Sequence, residues 1–525
     1  MPTLEWIGKD KVINHHQDVP FRVLEHRYSY PGDAKNSYGN MIIKGDNLHA
    51  LKALLPQYEG RVKCIYIDPP YNTGNEGWVY NDNVNDPKIK KWLGEVVGRE
   101  GEDLSRHDKW LCMMYPRLKL LQRLLANDGV IFISIDENEQ ASLRFICNEI
   151  FGASNFRTMV SWQRKYSVSN NFKGIATICE YLLAYAKSDS FVSKMLPRTE
   201  ESTARYSNPD NDPRGPWKAV DYLNQATTAK RPNLCYEIVN PNTSAIIKNR
   251  NKAWKYDKTT HETHVVENRL WWGKDGRNTV PALKLFLSEV RDGMTPHNWW
   301  PYEEVGHTQE ATKELAQILK VSDEFDYPKP VRLVTRILQI ASDKDSIILD
   351  SFAGSGTTAH AVLSLNKQDS GNRKFILVEM MDYAESITAE RVRRVIDGYA
   401  DVEATGGSFD FYELGEPLLF ADGNINESVS TEKIRDYVWY METKLPAQAV
   451  DPKAGPYYLG ETGGTAYYFF YEKERMTTLD MDFLTGISAQ AGSYVIYADQ
   501  CAVSESDLKK YNVTFKKIPR DIAKL

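Results

Sequence analysis

The expected fold is α/β: a mostly parallel sheet, interrupted by an insert and followed by a second small α/β unit. Three observations carry it. Strand and helix patterns alternate from 40 to 152, the same rhythm returns from 328 to 399, and a turn-rich stretch of Pro, Asn and Gly separates the two. Strands alternating with helices form βαβ units, whose strands lie parallel. The 525 residues are 42% hydrophobic and 26% charged, enough to pack several ordinary domains.

In chain order, Met41-Ile42-Ile43 reads as a short strand ending at Gly45-Asp46, and Leu48, Leu51, Leu54 and Leu55 then recur at helical spacing. Residues 62–67 form a second strand that runs straight into Asp68-Pro69-Pro70-Tyr71. Residues 110–125 read as helix, 130–135 as strand, and 143–151 as a helix stopped by Gly152. From 155 to 293 the periodicity breaks up, as in the Pro/Asn/Gly run 208–216, and reads as an irregular insert outside the sheet. Then come an amphipathic helix at 331–341, strands at 346–349 and 375–378, and helices at 359–365 and 383–395. Aromatic strands at 467–471, 494–498 and 513–518 mark the last unit. The expected organisation is an N-terminal extension (1–39), two halves of one sheet (40–154 and 294–412), the insert (155–293) and a C-terminal α/β domain (413–525).

Composition excludes several function classes. The 65 Lys plus Arg and 71 Asp plus Glu give a net charge of −6, which argues against a passive nucleic-acid coat. The stretch 1–12 has no apolar core of the secretory kind, and runs such as 131–135 are too short to cross a bilayer, so a cytoplasmic protein with no membrane partner is expected. Six cysteines (64, 112, 147, 179, 235 and 501) include no C-x-x-C pair, which fits neither a disulfide scaffold nor a zinc ribbon. Gly273-Lys274 is followed by Asp275 rather than Ser or Thr, so it is not a phosphate-binding P-loop. No His or Cys cluster suggests a metal.

Two motifs carry chemistry. Asp68-Pro69-Pro70-Tyr71 lies at the carboxyl end of a strand, where ligands bind in open α/β sheets. Asp68 is an acceptor, the prolines fix a backbone that can aim a carbonyl oxygen, and Tyr71 offers a flat face. That set suits an exocyclic amine on a planar base, although four residues alone fit a proline-rich turn equally well. The second motif, Asp350-Ser351-Phe352-Ala353-Gly354-Ser355-Gly356-Thr357, lies between a strand and a helix. Its two glycines permit a tight turn and close backbone approach to a ligand. Glu379 ends the following strand, a position that suits hydrogen bonding to ribose hydroxyls.

Together and in this order, the motifs resemble those of the beta group of S-adenosylmethionine-dependent DNA amino-methyltransferases. DPPYNTG (68–74), SFAGSGTTAHAVLSLN (351–366), GDNLHALKALL (45–55), WWGKDGRN (271–278), VGHTQEATKEL (305–315) and FDYPKPVRL (325–333) resemble the Mod subunits of type III restriction–modification systems. The likeness runs from about 41 to 394 and continues more loosely into FKKIPRDI (515–522). It departs at Cys179-Glu180-Tyr181, where relatives tend to have His before Glu-Tyr.

The resemblance implies a Rossmann-like methyltransferase sheet in circularly permuted order and S-adenosylmethionine as cofactor. It implies site-specific transfer to adenine N6 in double-stranded DNA, as the self-marking component of a restriction or phage-defence system. Asp68 and the Pro69 carbonyl would hold the amine, Pro70 would fix the turn, and Tyr71 would stack on the flipped base. Phe352, Gly354 and Gly356 would line the cofactor with Asp350 beneath, and Glu379 would hold its ribose. Asp46 would contact its adenine, and Phe325 and Lys329 would pack near its methionine end. A Res-like helicase–nuclease partner is also implied. The aromatic strands of the last unit offer a dimer surface, so a homodimer is expected, and the expected location is the nucleoid-associated cytoplasm. N4-cytosine methylation, or a DNA-recognition subunit of a larger restriction complex, remain open alternatives.

Charge is unevenly distributed. Residues 157–280 hold 20 Lys plus Arg against 12 Asp plus Glu, a net of +8, leaving −14 for the rest. The same window has 14 aromatics, among them Trp162, Trp217, Trp254, Trp271 and Trp272. Basic side chains interleaved with aromatics suit phosphate contact and base readout, so the insert is the expected target-recognition domain.

Overall fold

The two motifs end neighbouring strands of one sheet. The computed structural model describes residues 3–32, 39–73, 102–167, 173–248, 251–320, 325, 327–420, 422–447 and 454–520. Gly74 and Asp326, which close or interrupt two of the motifs, lie outside the described residues, as do Asp521 and Ile522. Ten strands build the sheet: β1 (Arg22–Tyr30), β2 (Met41–Lys44), β3 (Val62–Ile67), β4 (Leu125–Ile135), β5 (Phe156–Gln163), β6 (Cys179–Ala186), β7 (Trp299–Trp300), β8 (Ile347–Asp350), β9 (Lys374–Glu379) and β10 (Phe409–Pro417). Their order across the sheet is β1-β10-β2-β9-β8-β3-β4-β6-β5-β7.

From β10 to β4 all neighbours are parallel, while β6 runs antiparallel to both β4 and β5. The central strands are apolar along nearly their whole length, as strands covered on both faces must be. Ile65, Ile67, Leu349, Ile376 and Val378 join one core with Leu51, Leu55 and Leu118 from covering helices. β8 pairs with β3 at Ile348↔Cys64 and Leu349↔Ile65. The chain leaves β3 toward β4 on one side and β8 toward β9 on the other. That divergence is a topological switch point, where open α/β sheets bind ligands at the carboxyl ends of the strands.

Several boundaries differ from the sequence reading. β1 pairs antiparallel with β10, so residues 22–30 belong to the sheet rather than to an extension. Their sequence, RVLEHRYSY, is half-buried and charged because it forms an edge, and edge strands lack a continuous apolar run. β5 and β6 also lie in the sheet, although they fall inside 155–293. Among the described residues no helix separates them, and they run antiparallel to each other, so they give no βαβ rhythm to read. The separately packed unit is Lys194–Pro296. It contains a small sheet of Leu270–Trp271, Ala282–Phe286 and Trp217–Asp221, and a core of Tyr222, Ile238, Trp254, Leu270 and Trp272.

The C-terminal strands Tyr458–Thr462, Thr465–Phe469, Ser493–Ala498 and Val513–Lys517 make the expected second sheet. It packs in the same compact unit as the large sheet rather than as a separate body. β10 spans the 412/413 boundary that the sequence reading placed there. Among the described residues no helix is long and apolar enough to cross a membrane.

Candidate active site

The Asp-Pro-Pro-Tyr turn leaves β3 with Pro69 buried and Asp68 half-buried. Trp110 Nε1–H donates to the Pro70 carbonyl at 2.7 Å and pins the turn. The Pro69 carbonyl accepts no hydrogen bond among the described residues. Tyr71 Oη donates to Asp68 Oδ1 at 2.8 Å and lies 3.2 Å from Glu180 Oε2. Lys329 Nζ donates to Asp68 Oδ2 at 2.6 Å, and Arg164 Nη1 pairs with Glu180 Oε1 at 2.9 Å. Lys329 thus joins the two motifs: its ammonium is on Asp68, and its backbone carbonyl accepts from Thr357 Oγ1 of the glycine motif at 3.2 Å. Its ammonium lies 5.0 Å from the Tyr71 ring centroid, within cation–π range.

Burial and charge oppose each other here. Burial pulls the Lys329 ammonium down, but Asp68 and Glu180 outweigh it and hold the group above the usual lysine value. Burial pushes the Glu180 carboxyl above its ordinary value despite the pull of Lys329 and Arg164. The Tyr71 phenol is raised well above normal by burial, then by the charges of Asp68 and Glu180. A cluster of shifted groups at a sheet switch point is a functional-site signature.

One strand away, β8 delivers the glycine turn. Asp350 accepts from Phe352 N–H at 3.0 Å and from Thr358 Oγ1 at 2.5 Å, and burial pushes its carboxyl up to about 7. Gly354 and Gly356 have φ of 52° and 81°. A Cβ at Gly354 would sit 3.1 Å from the Phe325 ring, and one at Gly356 would sit 3.1 Å from the Thr388 carbonyl. Only glycine combines that backbone with such close neighbours. Glu379 accepts from Gly354 N–H at 2.8 Å and Met381 N–H at 3.0 Å, so it braces the turn. Thr388, in the π-helical turn Ala384–Ala389, donates to the Gly354 carbonyl at 2.6 Å. The buried Arg391 donates to Ser355 and Thr357 at 2.9 and 2.8 Å.

The structure brings Asp68, Pro69, Pro70, Tyr71 and Lys329 into one cluster, and Asp350, Phe352, Gly354, Gly356, Phe325 and Glu379 into the adjoining one. Asp46 caps the helix Asn47–Tyr58 by accepting from His49 N–H at 2.9 Å, and its other oxygen meets Arg117 at 3.3 Å. Its neighbour Asn47 reaches the glycine motif directly, donating to the Ser351 carbonyl at 3.2 Å. Sequence reasoning missed Glu180, Arg164, Trp110, Asn47 and Arg391 as site residues. Glu180 lies in the Cys-Glu-Tyr departure from the family pattern, which was the available signal. Trp110 and Arg391 sit inside helices, Arg164 lies just past the end of β5, and Asn47 opens a helix after Gly45-Asp46.

The donor set fits the nucleoside cofactor that the motifs imply. The turn admits a ligand against its backbone, Phe352 and Phe325 supply apolar surface, and Glu379 supplies a carboxylate at the next strand end. The Ser351 hydroxyl is 1% exposed and has no hydrogen-bond partner among the described residues, leaving a polar group at the turn for a ligand to meet.

Comparison with known proteins shows the family. The N6/N4 methyltransferase family model, described as DNA methylase, matches residues 62–390. The StyLTI Mod subunit, a type III restriction–modification enzyme of Salmonella typhimurium, is 35% identical over 71% of this chain and 57% of its own length. The EcoPI Mod subunit of Escherichia phage P1 is 34% identical over 72% of this chain and 63% of its own length. The type II methyltransferase M.KpnI of Klebsiella pneumoniae is 30% identical over 66% of this chain and 81% of its own length. The chain thus spans about three fifths of the length of the two Mod relatives.

Proposed function

The chain belongs to the DNA methylase family, and on that premise we propose that it transfers a methyl group from S-adenosylmethionine to adenine N6 at a specific site in double-stranded DNA. The observation that carries this is the meeting of the Asp68–Pro69 acceptor pair with the Gly354–Gly356 turn on adjacent strands, β3 and β8. When bound, the cofactor supplies an electrophilic methyl group.

The chain's own residues do the rest. The N6 lone pair of adenine is delocalised into the ring, which makes it a weak nucleophile. Asp68 and the Pro69 carbonyl accept its two N–H bonds, draw the nitrogen toward tetrahedral geometry and localise that pair. Holding the amine in line with the methyl group supplies most of the remaining acceleration. Tyr71 stacks on the base once it has left the duplex. Gly354 and Gly356 let the cofactor approach the backbone, Phe352 and Phe325 pack on it, and Glu379 accepts from ribose hydroxyls. Asp46, beside Asn47, faces the cofactor adenine.

The insert is the target-recognition unit in this reading, and its positive excess supports contact with phosphates. The Mod names of the relatives support a role as the modification component of a restriction system, working as a homodimer with a Res-like helicase–nuclease in the nucleoid-bearing cytoplasm. Incubation with labelled S-adenosylmethionine and mixed-sequence DNA, followed by nucleoside analysis, tests the reading. N6-methyladenine is expected, label on cytosine N4 would move the activity to the other amine, and no label on either base would end it.

A further inference from the structure

Lys329 stands where the target amine has to bind. Its ammonium donates to Asp68 Oδ2 at 2.6 Å and lies 5.0 Å from the centroid of the Tyr71 ring. A base stacked on that ring with its amine on Asp68 would make the same two contacts. Both nitrogens cannot share the seat. The attacking nitrogen becomes positive as its new bond forms, and an ammonium within hydrogen-bonding reach would oppose that charge at short range.

A second carboxylate is within reach. Glu180 Oε2 lies 3.9 Å from the ammonium, and the residue is 5% exposed. Arg164 holds its other oxygen at 2.9 Å and the Tyr71 hydroxyl lies 3.2 Å away. Those groups, with Lys329 itself and with Asp68 and Tyr66 behind Tyr71, are charged and titratable neighbours of Glu180. A small rotation of the flexible lysine stem closes the gap, because four single bonds separate Nζ from the backbone-fixed Cβ. In the free protein the ammonium keeps a partly buried carboxylate paired, which avoids an uncompensated buried charge.

We propose that Lys329 occupies the amine seat in the free protein and moves from Asp68 to Glu180 when the base enters. Glu180 is then a positioning residue: it never touches the base, but it takes the lysine away from it. The inference rests on the reading that Asp68 receives the target amine.

The test uses the full chain, unmodified mixed-sequence duplex DNA and labelled S-adenosylmethionine, with cofactor affinity by calorimetry and melting temperature read in parallel. Glu180→Gln removes the second seat and leaves Lys329 on Asp68. Its kcat is expected to fall about 100-fold, with KM and cofactor affinity little changed. Adding Lys329→Met to that variant empties the seat and is expected to recover at least about tenfold in kcat over Glu180→Gln alone. Residues that merely support the fold would instead lose activity additively, and an additive or worse double variant overturns the proposal. Should Glu180→Gln melt early, Lys329→Arg replaces it: a guanidinium grips Asp68 with two donors and releases it less readily, so kcat falls while cofactor affinity holds. An unchanged kcat there also overturns the proposal. If the wild-type protein methylates no base, the reading of the site fails and takes this inference with it. An active wild type with additive variants sinks the lysine transfer alone.

Discussion

The switch point of the sheet and the Lys194–Pro296 unit use charge in opposite ways. At the switch point, Asp68, Glu180, Lys329 and Arg164 are drawn together and mostly buried; burial raises the Glu180 carboxyl, and the two carboxylates hold the Lys329 ammonium above its usual value against burial. In the 194–296 unit, Lys284 is the deeply buried cation, held 2.5 Å from Asp210 and 3.1 Å from Asp212. Most of its other charges line the surface, and 17 Lys plus Arg face 12 Asp plus Glu, a net of +5. A net of −6 for the whole chain averages a site that concentrates charge for chemistry with a unit that displays it. Charge should be divided along structural units before it is read for function.

If that contrast is right, the largest effect comes from the sheet. Asp68→Ala removes the acceptor proposed for the amine and leaves Lys329 with Glu180 alone. Methyl transfer is expected to fall by about 1,000-fold or more, because the lost contact acts on the reacting nitrogen. The glycine turn is one strand away and untouched, so cofactor affinity by calorimetry should stay within a few-fold. Loss of both together would show that the two clusters are not separable.

The corresponding break in the other region is Lys284→Met. It strands Asp210 and Asp212 around an apolar side chain, and breaking a buried pair this way costs about 3–5 kcal/mol. Arg214 also holds Asp212, at 2.8 Å, so the damage should stay local to the unit. DNA affinity is expected to drop sharply in a gel-shift or anisotropy titration, while calorimetric cofactor affinity holds. Equal loss of both would make the two regions one cooperative system.

These contrasts also show what the sequence could reveal. The parallel core was legible because β2, β3, β8 and β9 are continuous apolar runs followed by turn residues, and burial on both faces requires such runs. The two motifs were legible because a glycine turn and a diproline turn are local, compact signals. β1 and β5 were not, since their alternation is too weak to separate from the surrounding irregularity, and β6, though an apolar run, has no helix pattern beside it to mark a βαβ unit. Glu180, Arg164 and Arg391 were hidden for another reason. Their roles arise from pairings across 16 residues or more, such as Arg164 with Glu180 and Arg391 with Ser355, which no local pattern encodes. Lys329 was named on family likeness, yet only the structure put it against Asp68, 261 residues away.

A smaller effect tests the protonation contrast itself. Burial raises the Asp350 carboxyl from an ordinary 3.8 to about 7. A raised folded-state value means the neutral form is favoured on folding. Its contribution is complete below about pH 4 and is lost as pH climbs through 7. Asp350→Asn mimics the neutral acid and should flatten that decline. Urea midpoints measured from pH 5 to 8 should therefore diverge, with the variant gaining on the wild type as pH rises. Parallel curves would place an ionised carboxylate under the glycine turn.

The smallest effect belongs to the displayed charges of the 194–296 unit. Lys274 and Arg277 are exposed in the turn between Trp272 and Asn278, beside a cavity of about 480 Å³ lined by Trp271, Trp272, Asn242 and Asp275. Neither side chain supports the unit's core, so Lys274→Ala with Arg277→Ala should leave melting temperature and kcat at saturating DNA near wild type. If both touch phosphates, each releases about one counterion on binding. The slope of log affinity against log salt should then flatten by about 1.8, at 0.9 per contact. At low salt the double variant binds several-fold more weakly, and the two proteins converge as salt is raised. A slope that does not change would mean the positive excess of this unit is solvated surface, and that the face reading DNA lies elsewhere on it.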